Sequence, residues 1–395
     1  ASESNYATRL TKLSGYIRTV LNTPDILAVQ EVGSLSELQD LAARISADDA
    51  SINYTAHLVE GNDFNGIDVG FLTRDAIQVN AITQLGAAET FTNPSTGNED
   101  ILHDRPPLLL EGSLQMQFGG YPIAVMVVHN RSLNSIETVR VRVKRLRQAE
   151  SIAMKVQALQ DADPDVRLVV TGDFNAFEFT DGYVDAVAVI SGNFDPTLNL
   201  VCSETACMPD LVEPNLSNEV LNLPMTSRYS FNFRGNAQIL DHALTTVKLN
   251  SEVRDAQYGR GNADAASILV DDDGSADPNN LALRSSDHDG LVIFVAADED
   301  ADGVPNDDDM CPATMLPEGI SSESLGVNRF ADTDGDGIFD TTSSRGKGPN
   351  RSYDLGDTAG CSCEQIIEAQ GLGNGHRKFG CSIGAMDNWI SLMAD

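Results

Sequence analysis

Residues 167–181 read RLVVTGDFNAFEFTD, and the fold is decided in this stretch. Leu168, Val169 and Val170, following Val166, make an apolar, largely β-branched run of the kind that forms a buried strand, and Gly-Asp-Phe-Asn-Ala follows as a turn. A carboxylate and a carboxamide, Asp173 and Asn175, are thereby presented at the end of a core strand. Asp173 can accept a proton or face a metal, Asn175 can donate to an anionic oxygen, and Gly172 leaves room for a substrate to approach the backbone. Taken alone, the same four residues describe a polar turn whose Asp and Asn cap their own backbone.

Four more stretches change that balance. ILAVQEV (26–32), VMVVHNRS (125–132), QILDHALTT (238–246) and SSDHDGLVIFV (285–295) are each apolar runs with an acid or a His at or near one end. In this order, with GDFNA between the second and third, they resemble the endonuclease/exonuclease/phosphatase superfamily, the DNase I-like metal-dependent phosphohydrolases. The resemblance spans roughly residues 1–297 and implies an α/β fold, a four-layer αββα sandwich. It implies Glu31 and Asp287 as ligands of a catalytic Mg2+ or Mn2+, and His129 as the group that binds or protonates the phosphate. Asp173 and Asn175 would then position the water and the phosphoryl oxygens, and Asp241 would orient His288 as general base. Arg105, in HDRPPLLLEG, and Arg131 are the candidates for substrate phosphate contact. The pattern departs in two places: nothing upstream of Ser4 supplies the Asn-bearing strand that opens family members, and Gly290 stands where a Pro usually follows SDH.

The net charge of −33, from 59 acidic and 26 basic residues, excludes a general polyanion-coating protein. Nucleic acid would have to be met through a local basic patch or through divalent cations. The one basic cluster is Arg140, Arg142, Lys144, Arg145 and Arg147, on a helix whose inner face carries Val143, Leu146, Ala149, Ala153 and Val156. A solvated helix face is the plainer explanation of it; a nucleic-acid backbone is the other. Tyr229, Phe231 and Phe233 alternate as one buried strand face would, although aromatics there could also stack on a base or sugar. Tyr6, Leu10, Leu13, Ile17 and Val20 recur at helical spacing before Pro24, so the chain opens with an amphipathic helix.

Beyond Ala297 the composition shifts. Asp298, Asp300, Asp302, Gly303, Asn306, Asp309 and Cys311 follow the pattern D-x-D-x-D-G-x-x-N-x-x-D-x-C, and Asp332, Asp334, Asp336, Gly337 and Asp340 repeat most of it. This resembles a thrombospondin type 3 repeat, and alternate carboxylates on a Gly-permitted turn are the oxygen cage that Ca2+ takes. Six cysteines, at 202, 207, 311, 361, 363 and 381, with no CxxC, read as disulfides formed in an oxidising compartment. The expected organisation is a phosphohydrolase domain (1–297), a calcium-binding segment (298–345) and a cysteine-containing cap (346–395). No membrane span is expected, and no signal peptide stands at Ala1, so the chain reads as mature or trimmed. The functional expectation is a secreted or cell-surface bacterial phosphodiesterase, most simply a nuclease on DNA or RNA. The alternatives are a phosphomonoesterase or phospholipid phosphodiesterase on the same fold, and an inactive calcium-stiffened extracellular structural protein. Oligomeric state is not fixed by the sequence.

Overall fold

The computed structural model describes residues 3–116, 120–272, 274–275, 277–298, 300, 302–342 and 351–393. The chain divides into two compact units, one of residues 1–114 with 122–295, the other of 115–121 with 296–395.

The first unit opens with helix α1 (Glu3–Thr19) and strand β1 (Ile26–Val32), followed by helix α2 (Leu35–Asp48). α2 starts where Ser34 accepts from the Glu37 amide at 3.2 Å, while the Glu37 carboxylate takes the Gly33 N–H in return. Strands β2 (Tyr54–Leu58), β3 (Asp68–Arg74), β4 (Ile77–Gln84) and the short hairpin β5 (Thr90–Thr92) and β6 (Glu99–Ile101) come next. β7 (Leu108–Gln115), β8 (Gly120–His129), helix α3 (Val139–Ala162) and β9 (Leu168–Asp173) build the centre. β10 (Ser217–Asn218), the hairpin β11 (Phe231–Phe233) and β12 (Asn236–Gln238), β13 (Asp241–Thr245), β14 (Val253–Gly259) and β15 (Gly290–Val295) complete it.

One sheet runs β10-β13-β9-β8-β7-β4, and the facing layer consists of β1-β3-β2 and β14-β15. Side chains alternate between two cores, as the pleat requires. Ala124, Met126 and Val128 of β8 pack toward α3 with Leu168 and Val170, whereas Val125, Val127 and Val169 turn to the other side, against Val69 and Phe71 of β3. On the outer side of β3, Leu72 meets Tyr16 and Ile17 of α1 and Leu38, Leu41 and Ile45 of α2. Helix, sheet, sheet and helix thus give the four-layer αββα sandwich. α1 is shorter than the sequence pattern drew it, because Asn22 and Thr23 adopt left-handed backbone ahead of Pro24.

The second unit has its own core of Phe330, Tyr353, Leu355, Ile366, Met386 and Trp389. This core joins the acidic segment to the cysteine-containing end. Disulfides Cys311–Cys361 and Cys363–Cys381 lie within it, Cys202–Cys207 closes a small loop in the first unit, and no cysteine is free. No helix among the described residues is long and apolar enough to cross a membrane.

Candidate active site

Three adjacent strands supply the centre. β8 runs parallel to β9 with His129 paired to Asp173, and β13 runs antiparallel to β9 with Asp241 paired to the same Asp173. Residues directly opposite on neighbouring strands project to one face, so register alone brings His129, Asp173 and Asp241 into a row. His288 arrives from the loop before β15, fixed by an isolated bridge to Phe231, and its Nδ1 lies 2.7 Å from Asp241 Oδ2. Ligand-capable atoms of Asp173, Asp241 and His288 all lie within 4.8 Å of one another. His129 Nε2 stands 3.5 Å from Asp173 Oδ2, and its buried Nδ1 has no hydrogen-bond partner.

Two site residues sit in left-handed backbone, Asn175 at φ 49° and Glu31 at φ 59°. Non-glycine residues hold such angles only where the surroundings impose them, at a cost of about 1–3 kcal/mol. For Asn175 the imposition is visible: its amide donates to Asp173 Oδ1 at 2.7 Å, and its Nδ2 donates to Asp173 Oδ2 at 2.8 Å and to the Asn130 carbonyl at 3.1 Å. Glu31 stands at an irregularity where the β1–β3 register shifts between Val29 and Val32. It is exposed and lies outside the tight three-residue group, but its charge reaches Asp173.

Gly172, at φ 125°, has a different purpose from the one its sequence suggested. A Cβ there would fall 2.3 Å from the Val128 carbonyl and 3.2 Å from Gln30 Nε2. The glycine makes room for the neighbouring strand and for β1, not for a substrate.

Charge is concentrated here. Burial, then the Asp241 charge, pushes the Asp173 carboxyl up to about 7, with Glu31 adding to it and His288 and the Asn175 amide opposing. Burial disfavours charging His288, yet Asp241, Asp173 and Asp287 outweigh it and push the imidazole up to about 10. Burial, reinforced by Arg105 and His288, pushes His129 down to about 3, so it is neutral at ordinary pH.

Several expected residues are placed differently. Arg105 does not offer itself to a phosphate: it pairs with Asp63 at 2.9 Å and donates to the carbonyls of His129 (3.2 Å) and Asn130 (3.1 Å), bracing the end of β8 from behind. Asp287 is exposed and outside the tight group. Arg131 is half-buried, bonds Ser132 and the Asn134 carbonyl, and has no carboxylate partner among the described residues. The basic cluster of α3 is neither a solvated face nor a free patch. Arg140 pairs with Asp100, Arg142 with Glu204, Lys144 with Asp104, Arg145 with Asp181 and Arg147 with Glu150. Arg142, Lys144 and Arg145 are buried, because loop carboxylates cover the helix. The aromatic run is not one core face either, since Phe233 is 48% exposed.

Sequence reasoning passed over the residues that hold the His288 loop. Asp289 is buried and accepts from the amides of Asn262 (2.9 Å) and Ala263 (3.1 Å) and from Arg260 (2.8 Å). Asn262 donates to the His288 carbonyl at 2.9 Å and accepts from the Ser285 amide at 2.9 Å. The acids flanking His288 on both sides were a signal for Asp289; Asn262 lies in an irregular loop with none.

In the second unit, ligand-capable oxygens of Asp298, Asp300 and Asp302 lie within 4.8 Å of one another, as do those of Asp332, Asp334 and Asp336. Asp302 is 6% exposed, and its Oδ2 is buried without a hydrogen-bond partner. Burial, then Asp300, Asp309 and Asp298, pushes its carboxyl up to about 7. A Cβ on Gly360 would touch both Asp309 and Asp302 Oδ2, which places Asp309 beside the first group. Asn306 donates its amide to the Ala297 carbonyl, and Asp340 accepts from the Thr333 amide at 3.0 Å.

Residues 2–258 match the Endonuclease/Exonuclease/phosphatase family. Among solved structures, truncated TDP2 from Caenorhabditis elegans is 16% identical, with 75% of this chain and 93% of that one covered and a TM-score of 0.45. A mannosyl-6-phosphatase from Bacteroides thetaiotaomicron is 13% identical over 74% and 92%, with a TM-score of 0.44. D. rerio TDP2 complexed with a single-strand DNA product is 16% identical over 73% and 91%, with a TM-score of 0.41. No curated protein matches.

Proposed function

The chain belongs to the endonuclease/exonuclease/phosphatase family, and on that premise we propose that it is a divalent-metal-dependent phosphodiesterase acting on nucleic acid. The observation that carries this reading is the convergence of Asp173, Asp241 and His288 within 4.8 Å, with Asp173 and His288 both pushed far from their ordinary protonation. Buried carboxylates this close repel one another unless a cation or proton sits among them, so the donor set fits a hard divalent ion. Glu31 and Asp173 would hold Mg2+ or Mn2+, which when bound polarises a phosphoryl oxygen and offsets the charge developing in the transition state.

The remaining chemistry belongs to the side chains. The Nδ1–H of His288 is held by Asp241 at 2.7 Å, which leaves Nε2 to take a proton from the attacking water. With a cation nearby, the field that holds His288 protonated is reduced, and the imidazole returns toward the range in which it works as a base. His129, neutral and buried, is suited to donating a hydrogen bond to a phosphoryl oxygen rather than to protonating it. Asn175 spends both Nδ2 hydrogens on Asp173 and the Asn130 carbonyl, so its role is to hold the Asp173 carboxylate in place, with its own carbonyl oxygen left to accept from the attacking water. Of Arg105 and Arg131, Arg131 is the one without a carboxylate partner among the described residues and so is left for a substrate phosphate.

The second unit is read as a calcium-stabilised module. The buried, unpartnered Oδ2 of Asp302 and the Asp332–Asp336 group supply the oxygen donors that Ca2+ requires. Three disulfides and no free cysteine support secretion into an oxidising compartment. Plasmid nicking and oligonucleotide cleavage with Mg2+, Mn2+ or Ca2+, each against EDTA, test the catalytic reading. Metal-dependent cleavage of the diester is expected. Release of free phosphate from nucleotides with no nicking would replace it with a phosphomonoesterase.

A further inference from the structure

The segments that carry the catalytic groups also carry exposed aromatic rings that no packing requirement explains. Phe177 and Phe179 lie just beyond Asn175 and Ala176 in the chain and stack on each other, with centroids 5.5 Å apart and planes inclined by 27°. Phe179 is 58% exposed. On the other segment, the Phe231 ring lies 4.6 Å from the His288 ring, and Phe231 begins the β11–β12 hairpin. That hairpin closes with a two-residue turn, Arg234 at φ 52° and Gly235 at φ 87°, a pairing of positive angles that matches the twist of the strands and sets their ends firmly. The turn holds Phe233 in the open, with the Arg234 guanidinium 5.1 Å from its ring centre. Arg234 has no carboxylate partner among the described residues, unlike the cations of α3.

An exposed ring normally finds no reward in water, and scattered ones need no explanation. These are not scattered: Phe179 stacks on Phe177 in the segment that follows Asn175, Phe233 stands in the hairpin whose Phe231 packs on the His288 ring, and a guanidinium with no carboxylate partner among the described residues lies over one face of Phe233. A flat apolar face beside a guanidinium complements a flat base beside a phosphate.

Resting on the phosphodiesterase reading above, we propose that unpaired nucleobases next to the scissile diester stack on Phe179 and Phe233, with Arg234 meeting a backbone phosphate, so that the substrate is single-stranded nucleic acid. In a duplex the base faces are already occupied by one another, and the rings have nothing to receive. Stacking on an aromatic side chain is sequence-tolerant, so no base preference is expected.

The test compares two single-stranded dodecamers with the same number of diesters and the same charge, one of thymidine, the other of abasic tetrahydrofuran residues. The wild-type protein with Mg2+ should show a kcat/KM about tenfold or more higher on thymidine, the scale of one stacked base. Phe179→Ala and Phe233→Ala should each draw that ratio toward one, mainly through KM, and Phe179→Trp should keep it. A substitution that merely damages the fold lowers both rates and leaves the ratio alone. The proposal is overturned by a wild-type ratio near one, or by an unchanged ratio in both alanine variants. If the wild-type protein cleaves neither oligomer in any metal, the phosphodiesterase reading fails first and takes this one with it.

Discussion

Replacing Asp181 by Asn tests how the basic helix α3 is accommodated. Arg145 and Asp181 have side chains only 2% exposed each, and two guanidinium nitrogens lie 3.0 and 3.2 Å from one carboxylate oxygen. The other oxygen of Asp181 accepts the amides of Tyr183 (2.8 Å) and Val184 (2.7 Å), a role the Asn carbonyl retains. Asp181→Asn removes the counter-charge and puts an N–H donor where the oxygen accepted two guanidinium bonds, so Arg145, whose charged form burial already disfavours, loses its partner charge and both bonds. Stranding one member of a buried pair costs about 3–5 kcal/mol, whereas an exposed pair is worth about 0–1 kcal/mol. The assay is urea unfolding of the two variants and the wild-type chain, read from the midpoint at constant slope. Asp181→Asn should lose about 3–5 kcal/mol, and adding Arg145→Met should restore more than half. A loss below about 1 kcal/mol for Asp181→Asn would refute the buried pair and reopen the helix as a cationic surface.

Other outcomes follow from the same geometry. His242 is fully buried, donates through Nε2 to the Ala176 carbonyl at 2.9 Å and accepts from Asn218 at Nδ1 (3.1 Å); burial pushes it down to about 4. Its contribution to stability is complete above the unfolded value near 6.5 and is lost as pH falls toward 4, so imidazole NMR should show the neutral Nε2–H form down to about pH 5 in the folded protein. Ca2+ should raise the melting temperature of the second unit, and Asp302→Asn should abolish most of that rise, as read by calorimetry with and without EGTA. Removing Cys311–Cys361 as a double serine variant opens a loop with a sequence separation of 50 residues, which should cost that unit about 4 kcal/mol in thermal unfolding while diester cleavage by the first unit persists.

Much of the first unit was legible because its strands are apolar runs with chemistry at their ends. Val125–Val128 and Leu168–Val170 alternate between two cores, so both faces had to be apolar, and the break to His129 and Asp173 marked the end of the sheet where the buried polar centre begins. The doublet of Asp241 and His242 was harder to divide: one faces the centre and the other caps the Ala176 carbonyl beneath it. The α3 cations misled because composition counts charge locally. Their partners are Asp100 of the β5–β6 hairpin and Asp104, Asp181 and Glu204 of loops, up to 62 positions away. The partners of Arg105 are hidden for the same reason, since the His129 and Asn130 carbonyls that it meets stand 24 and 25 positions on. Left-handed Glu31 and Asn175 are invisible to periodicity, which carries no information on backbone strain.

The most direct measurement is the initial rate of diester cleavage by wild-type protein and by His288→Ala, each with saturating Mg2+ or Mn2+ and again with EDTA, alongside the urea midpoint of both chains. Loss of a positioned base should slow the metal-dependent rate by about 10²–10⁴-fold, EDTA should silence the wild-type chain, and the variant should remain folded. A His288→Ala protein that keeps the full metal-dependent rate would contradict the assignment of proton transfer to the His288–Asp241 pair.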